Sequence, residues 1–392
     1  MNIDLRKQCE FFGFTENHND ESILIFHSCS SNLFLSSDDL GESECNELHT
    51  GNTPRSIMTK GNSVTIGTPY GNFIRGNRDK MMISYSREPS HDYIMTGACG
   101  VLFEGEMHFF GGGNFTPNEF RFANYKNEML DFKRQHFVIE TQRSGQVVKM
   151  TRKEDLEIGL EDHSCSSFET TSEFFPWFKT NVVILCFGLY HGESCYSYDG
   201  KLTYIGDSNY SHYLGGLTRY RGSLLTVGSD GFFYHGNQKS EIFKSHGNKN
   251  FSWSVVQSDF KFTQGDSISS HSLVTVESFD INEEYILLIG GDTNNDGYLE
   301  LENVFKFNGT WSPFGKLNKP RSQHNSIYWN GAVYVIGGKY EYNKEFNDKR
   351  KMEIWNIKDS PDTFKTKENW PELFGWQTPH LFLVPDSLFP DH

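Results

Sequence analysis

The chain has 392 residues, with 36 Lys and Arg against 51 Asp and Glu, and its net charge is −15. That balance excludes partners that carry dense negative charge of their own, so neither nucleic acid nor an anionic membrane surface is an expected ligand. The longest apolar run, Val182 to Tyr190, is about half of the ~20 residues that a membrane-spanning helix needs, so membrane insertion is not expected either.

Aromatic residues make up 15% of the chain, with 36 Gly and only 12 Pro. This mix suits many short strands joined by tight turns, and the expected class is all-β. The opening segment, MNIDLRKQCEFFGFTENHND, lacks the basic-then-apolar order of a secretory leader, so the chain as written reads as cytoplasmic. An extracellular placement requires a start further upstream.

Cys9, Cys29, Cys45, Cys99, Cys165, Cys186 and Cys195 all fall in the first half and are odd in number, so at least one thiol is free or paired elsewhere. None has the close spacing of a zinc ribbon or finger, and no metal or other cofactor is expected. Cys186 and Cys195 flank a short polar loop between two apolar strands. They can bridge if the register permits; two buried free thiols are the alternative. Triplets of the form N-x-S/T begin at Asn114, Asn209, Asn250 and Asn308, about as often as composition produces them by chance, and they decide nothing about compartment.

In chain order, residues 1–21 read as an extension and SILIFHS (Ser22 to Ser28) as the first strand. No repeat is legible before about Ser90. From there five units follow one plan: an apolar run ending in small residues, a polar loop, then an alternating strand. GEMHFFGGG (Gly105 to Gly113) precedes QHFVIE, and VVILCFG (Val182 to Gly188), which lacks a glycine pair, precedes SCYSYDG. GSLLTVGS (Gly222 to Ser229) precedes SEIFKS and Trp253; YILLIGG (Tyr285 to Gly291) precedes ENVFKF and Trp311; GAVYVIGG (Gly331 to Gly338) precedes MEIWNI and Trp370. His271-Ser272-Leu273-Val274 and His324-Asn325-Ser326-Ile327 echo each other ahead of the last two apolar runs. A final strand, HLFLV (His380 to Val384), has no downstream half of its own.

The glycine pairs Gly111-Gly112, Gly290-Gly291 and Gly337-Gly338, with aromatics downstream, make this chain resemble the kelch-repeat family. The resemblance covers roughly Gly97 to Trp370. It implies a β-propeller of four-stranded antiparallel blades over residues 22–388, followed by a short tail, 389–392. Five internal units, plus one blade shared between SILIFHS and HLFLV, give six blades, with seven as the alternative count. Sharing a blade between the two ends closes the ring and removes exposed sheet edges. The six paired glycines and Trp253, Trp311 and Trp370 then read as structural, glycine serving where an inner strand ends and backbones approach closely. His271 and His324 occupy matching positions and read as structural too. Function belongs to what differs between the units.

What differs is the loops after Gly112, Gly291 and Gly338, expected on one face of the disc. Tyr298, Tyr340, Tyr342 and Phe346 are the candidate contacts, because aromatic side chains carry much of the energy in protein interfaces, and Arg121 and Arg350 add charged donors. Asp292, Asn294 and Asp296 before Gly297 mimic a calcium loop, but Asn303 stands where the bidentate Glu belongs and no helices flank the segment. Some kelch-type propellers are copper oxidases with a Tyr-Cys crosslink; here Cys195 and Tyr196 are strand neighbours whose side chains point to opposite faces. Hydrolase elbows, zinc-protease pairs and sialidase boxes are absent from the sequence. The expectation is therefore no catalysis but a binding module for an unidentified protein partner, with extracellular glycan binding as the alternative.

Overall fold

In the computed structural model the described residues are 21–28, 63–67, 73–77, 96–104, 106–113, 134, 136–141, 148–171, 179–189, 191–230, 236–246, 251–256, 259–278, 283–294, 298–329, 331–339, 352–360, 364–367 and 377–385. Their regular structure is entirely β. Strands β1 (Glu21–Ser28), β2 (Ser63–Gly67) and β3 (Phe73–Asn77) belong to blade 1. Blade 2 is β4 (Thr96–Phe103), β5 (Glu106–Gly113), β6 (His136–Thr141) and β7 (Val148–Arg152). Blade 3 is β8 (Ser164–Thr171), β9 (Lys179–Gly188), β10 (His191–Tyr198) and β11 (Leu202–Asp207). Blade 4 is β12 (Gly216–Tyr220), β13 (Ser223–Ser229), β14 (Asn237–Ser245) and β15 (Phe251–Val256).

Blade 5 is β16 (Ser272–Ser278), β17 (Glu283–Ile289), β20 (Asn303–Phe307) and β21 (Trp311–Lys316), with the hairpin β18 (Asp292–Asn294) and β19 (Tyr298–Glu300) inserted after β17. Blade 6 is β22 (Ser322–Trp329), β23 (Ala332–Lys339), β24 (Met352–Asn356) and β25 (Lys365–Lys367). The last strand, β26 (Gln377–Pro385), returns to blade 1 and gives it the order β26-β1-β2-β3. Strands β26, β4, β8, β12, β16 and β22 touch one another in turn, and the last meets the first. Among the described residues six four-stranded sheets therefore surround one axis: the chain is a β-propeller whose ring is closed by β1 and β26.

The closing pair runs antiparallel from Glu21 opposite Pro385 to Ser28 opposite Gln377. One sheet departs from the expected antiparallel blade, because β1 and β2 are parallel. A parallel pair needs a long crossover, and residues 29–62 separate these two strands.

The apolar runs of the repeat form the second strand of each blade, not the innermost one as the sequence reading had it. A second strand is covered on both faces by neighbouring blades, which is why its sequence is continuously apolar instead of alternating. In β9, Val183 and Leu185 join the cluster shared with blade 2, while Val182, Ile184 and Cys186 join the cluster shared with blade 4. In β17, Ile286 and Leu288 pack toward blade 4, and Tyr285, Leu287 and Ile289 toward blade 6. The core is thus a series of seams between blades.

Each glycine pair ends a second strand where incoming chain crosses it, that of the next blade beside Gly111 and Gly290 and that of the same blade beside Gly291 and Gly338. A Cβ on Gly338 would sit 2.6 Å from the Ser322 carbonyl oxygen, and φ there is +98°. Gly111 (φ +64°) is tighter still against the Leu160 carbonyl. Blade 3 has Phe187 at this position, held at φ 71° and wholly buried. Trp311 is buried and donates its indole N–H to Ser240 Oγ across the blade 4–5 seam, 3.1 Å away. Trp253 is half-buried against Phe243 in its own blade, and Trp370 lies outside the described residues.

Among the described residues two disulfides are present. Cys186–Cys195 joins directly opposed residues of β9 and β10, with Cα atoms 4.2 Å apart, settling the two sequence alternatives for the bridge. Cys99–Cys165, which the spacing did not suggest, ties the innermost strands β4 and β8 of adjacent blades across 66 residues of chain. Closing a loop of that length stabilises by about 4 kcal/mol in the chain-entropy account.

One facing pair of positions varies by blade. Strand register places Glu241, Glu353, Tyr196 and Phe305 at equivalent points of β14, β24, β10 and β20. The residue that enters each blade opposite them is His212, Arg321, Leu160 and Ile268 respectively. His212 Nε2 meets Glu241 Oε2 at 3.0 Å and Arg321 Nη2 meets Glu353 Oε1 at 2.7 Å, all but fully buried. Leu160 and Tyr196, and Ile268 and Phe305, share apolar clusters instead. Polar contacts in blades 4 and 6 are therefore exchanged for hydrocarbon in blades 3 and 5. Leaving one buried charge without its partner costs about 3–5 kcal/mol, whereas replacing both partners with apolar groups is often neutral. We expect Arg321→Ile alone to lower the unfolding free energy by that amount, and Arg321→Ile with Glu353→Phe, the blade 5 pair, to recover more than half of it in urea titrations.

Candidate functional site

Four non-glycine residues hold a left-handed backbone at equivalent points around the axis. Asp162 (φ 51°), Leu214 (φ 56°), Ser270 (φ 51°) and Gln323 (φ 54°) stand where the chain turns into the innermost strand of blades 3, 4, 5 and 6. The turn aims the amides of Ser270 and Gln323 at the preceding blade. Ser270 N–H donates to the Leu214 carbonyl and Gln323 N–H to the Ser270 carbonyl, each at 2.8 Å, so these residues form a hydrogen-bonded collar running from blade to blade. The Tyr213 hydroxyl, next to Leu214, donates to Asp162 Oδ2 at 3.1 Å and extends the collar to blade 3.

Both chain neighbours of every collar residue are buried: Glu161 and His163, Tyr213 and Gly215, Ser269 and His271, Ser322 and His324. The collar residues themselves keep partial exposure. Glycine adopts this backbone at least cost, and a non-glycine residue there costs of order 1–3 kcal/mol. Four different side chains, an acid, an aliphatic, a hydroxyl and an amide, are therefore displayed at one end of the ring at positions where glycine is conformationally cheaper. The second strands end beside the same segment: Gly112 N–H bonds to the Leu160 carbonyl, and Gly291 N–H to that of Arg321. The loops that follow the glycine pairs thus depart from the collar end.

The hairpin β18–β19 is one of these loops. It holds the backbone of Tyr298 in β19 and carries Leu299, an exposed large apolar side chain. Tyr340, Tyr342, Phe346, Arg121 and Arg350 lie outside the described residues. Asp292, the first residue of the calcium-like segment, is buried and accepts a hydrogen bond from Ser269 Oγ instead of standing open to an ion. Among the described residues, no group of three His, Cys, Asp or Glu side chains has metal-holding geometry. Cys195 is committed to Cys186, so it makes no thioether to a tyrosine.

Beneath the collar the histidines are buried. Gly216 N–H bonds to His271 Nε2 at 3.3 Å, across the blade 4–5 seam. Burial, with His212 nearby, lowers the His271 pKa to about 3; burial, with Arg321 and His271 nearby, holds His324 well below its ordinary value. Glu241 is pushed up by burial, but hydrogen bonds from His212 and Asn209 outweigh this and leave it below the ordinary carboxylate value. A second buried pair sits in blade 2, where His108 Nδ1 and His136 Nε2 are 3.0 Å apart beside Tyr198. Burial first, then Lys153, brings His108 to about 4; burial, then His108 and Lys153, brings His136 to about 3.

A solved structure described as the structure of YjhT is similar to this chain, with a TM-score of 0.53 and 13% identity, covering 80% of this chain and 99% of that one. That likeness shows the fold, a β-propeller. No family model matches the sequence, and no curated protein does.

The collar was not singled out from the sequence. The signal lay one residue before the echoed His271 and His324, where Ser270 and Gln323 differ between units whose neighbours repeat.

His108, His136, His271 and His324 all have folded pKa values below the unfolded ~6.5. Between those values the unfolded chain binds protons that the folded chain refuses, so stability falls as pH drops below about 6.5 and is fully present above it. The loss approaches about 1.4 kcal/mol per pH unit for each such histidine. Glu241 adds its loss only below its ordinary value, 4.5. Urea midpoints measured from pH 7 to pH 5 should fall steadily, and the His271→Asn, His324→Asn double variant should flatten that slope.

Proposed function

We propose that this chain is a kelch-type propeller acting as a non-catalytic binding module, and that it holds a protein partner on its collar face. The observation that carries the reading is the collar: strained backbone is retained at four equivalent positions while the side chains there differ in charge and chemistry. Residues that repeat around a ring serve the ring, whereas residues that vary at its accessible end are free to serve a ligand. Long loops on a rigid scaffold are where binding residues concentrate. Leu299 supplies apolar area at the same end, and Tyr298, Tyr340, Tyr342, Phe346, Arg121 and Arg350 are the proposed loop contacts.

The two disulfides favour a second reading of the partner's chemistry. Disulfides persist in oxidising compartments, where cell-surface proteins and glycans are both available ligands. The net charge of −15 favours a neutral or basic partner surface over an acidic one.

The test compares wild-type protein with an Asp162→Asn, Ser270→Ala, Gln323→Ala variant, in which the new amide at position 162 keeps an acceptor for the Tyr213 hydroxyl, on arrays of protein ectodomains and of glycans, with melting temperature as the control for folding. The expected result is a protein ligand whose affinity drops tenfold or more in the variant, about 1.4 kcal/mol, at unchanged melting temperature. Binding to glycans alone would move the assignment to the second reading. A ligand held equally by both proteins would place the site elsewhere.

A further inference from the structure

Two of the four N-x-S/T triplets have their asparagine among the described residues, and the two amides differ in the carboxylate that holds them, buried for one and on the surface for the other. Asn308, in Asn308-Gly309-Thr310, occupies the tip of the hairpin between β20 and β21, and all three residues are exposed. Its side-chain amide lies on the surface: Oδ1 accepts from Arg221 Nη2, and Nδ2 donates to Glu283 Oε1. Asn209, in Asn209-Tyr210-Ser211, is also an exposed residue, but its amide turns inward. Its backbone N–H and its Nδ2 both donate to Oε1 of Glu241, a side chain with no exposure, inside the His212–Glu241 pair.

We propose that Asn308 is an N-glycosylation site of this protein and that Asn209 is not. In the reaction, the Asn308 amide nitrogen bonds to the anomeric carbon of a polyprenyl-diphosphate-linked oligosaccharide. The bond from that carbon to the diphosphate breaks, the lipid diphosphate leaves, and the amide gives up one proton. The second Nδ2 hydrogen remains for Glu283, and the carbonyl remains for Arg221, so the folded hairpin keeps both contacts with the glycan projecting outward. At Asn209 the same substitution would seat a sugar ring against a buried carboxylate.

The cysteine chemistry supplies the independent support. Cys99–Cys165 and Cys186–Cys195 require the oxidising environment in which such a donor is encountered during synthesis in eukaryotic cells. The hairpin lies away from the collar, because β20 runs from the collar end, where Gly290 N–H bonds to the Asn303 carbonyl, to Asn308. A glycan there leaves the collar face uncovered.

The experiment is peptide mapping of the full chain from its native source, with enzymatic deglycosylation in heavy-oxygen water to mark each occupied asparagine. The expected result is heavy-labelled aspartate at position 308 in most molecules and unmodified asparagine at 209. Unmodified Asn308, or label at Asn209, would overturn the proposal. Because the readout is site by site, occupancy at Asn114 or Asn250 does not bear on it. The Asn308→Gln protein should lose one glycan by intact mass with its melting temperature unchanged.

Discussion

Everything in this molecule depends on the pairing of β1 with β26. Residues 21–28 and 377–385 come from opposite ends of the chain, and their ladder supplies the inner half of blade 1. Without it, blades 2 and 6 would each face water along an apolar surface and an open edge. The entropy cost of bringing such distant segments together is met once, and every seam between blades gains from it. The Cys99–Cys165 bridge acts in the same way over a shorter range, fixing the spacing of two neighbouring innermost strands.

Around that closed ring the seams use two chemistries for one geometric task. Where the incoming chain meets the third strand, blade 6 places a buried arginine–carboxylate pair, blade 4 a buried histidine–carboxylate contact, and blades 3 and 5 an aliphatic–aromatic contact. The carboxylates also collect backbone amides, Glu241 from Asn209 and Tyr210 and Glu353 from Asn318. Both of these buried carboxylates are therefore held by several donors. The collar sits directly above, linked by backbone hydrogen bonds. The ring that holds the fold together also fixes the positions at which unlike side chains reach solvent.

Much of this was legible in the sequence. The alternation of apolar run, glycine pair and aromatic strand gave the architecture, and an unmatched strand at each end gave the closure. The His271 and His324 echo falls on two buried side chains. Other features were hidden for physical reasons. Apolar runs reveal burial on both faces but not order from the axis, so second strands passed for innermost ones. Phe187 conceals the glycine position of blade 3 because its left-handed backbone has no sequence mark. Cys99 and Cys165 are brought together only by the blade-to-blade stacking, and the collar residues share a backbone angle while sharing no side-chain chemistry. The parallel pairing of β1 with β2 is likewise a matter of a long connection, which composition does not report.

The closure is tested most directly by native-state hydrogen exchange resolved to single amides. In a closed ring, the ladder amides of residues 21–28 and 377–385 open only with the whole molecule, so their opening free energies should match those of β17 and β23. Amides in these two end strands that exchange as free chain, while β17 and β23 stay protected, would mean that the ring is open and the account wrong.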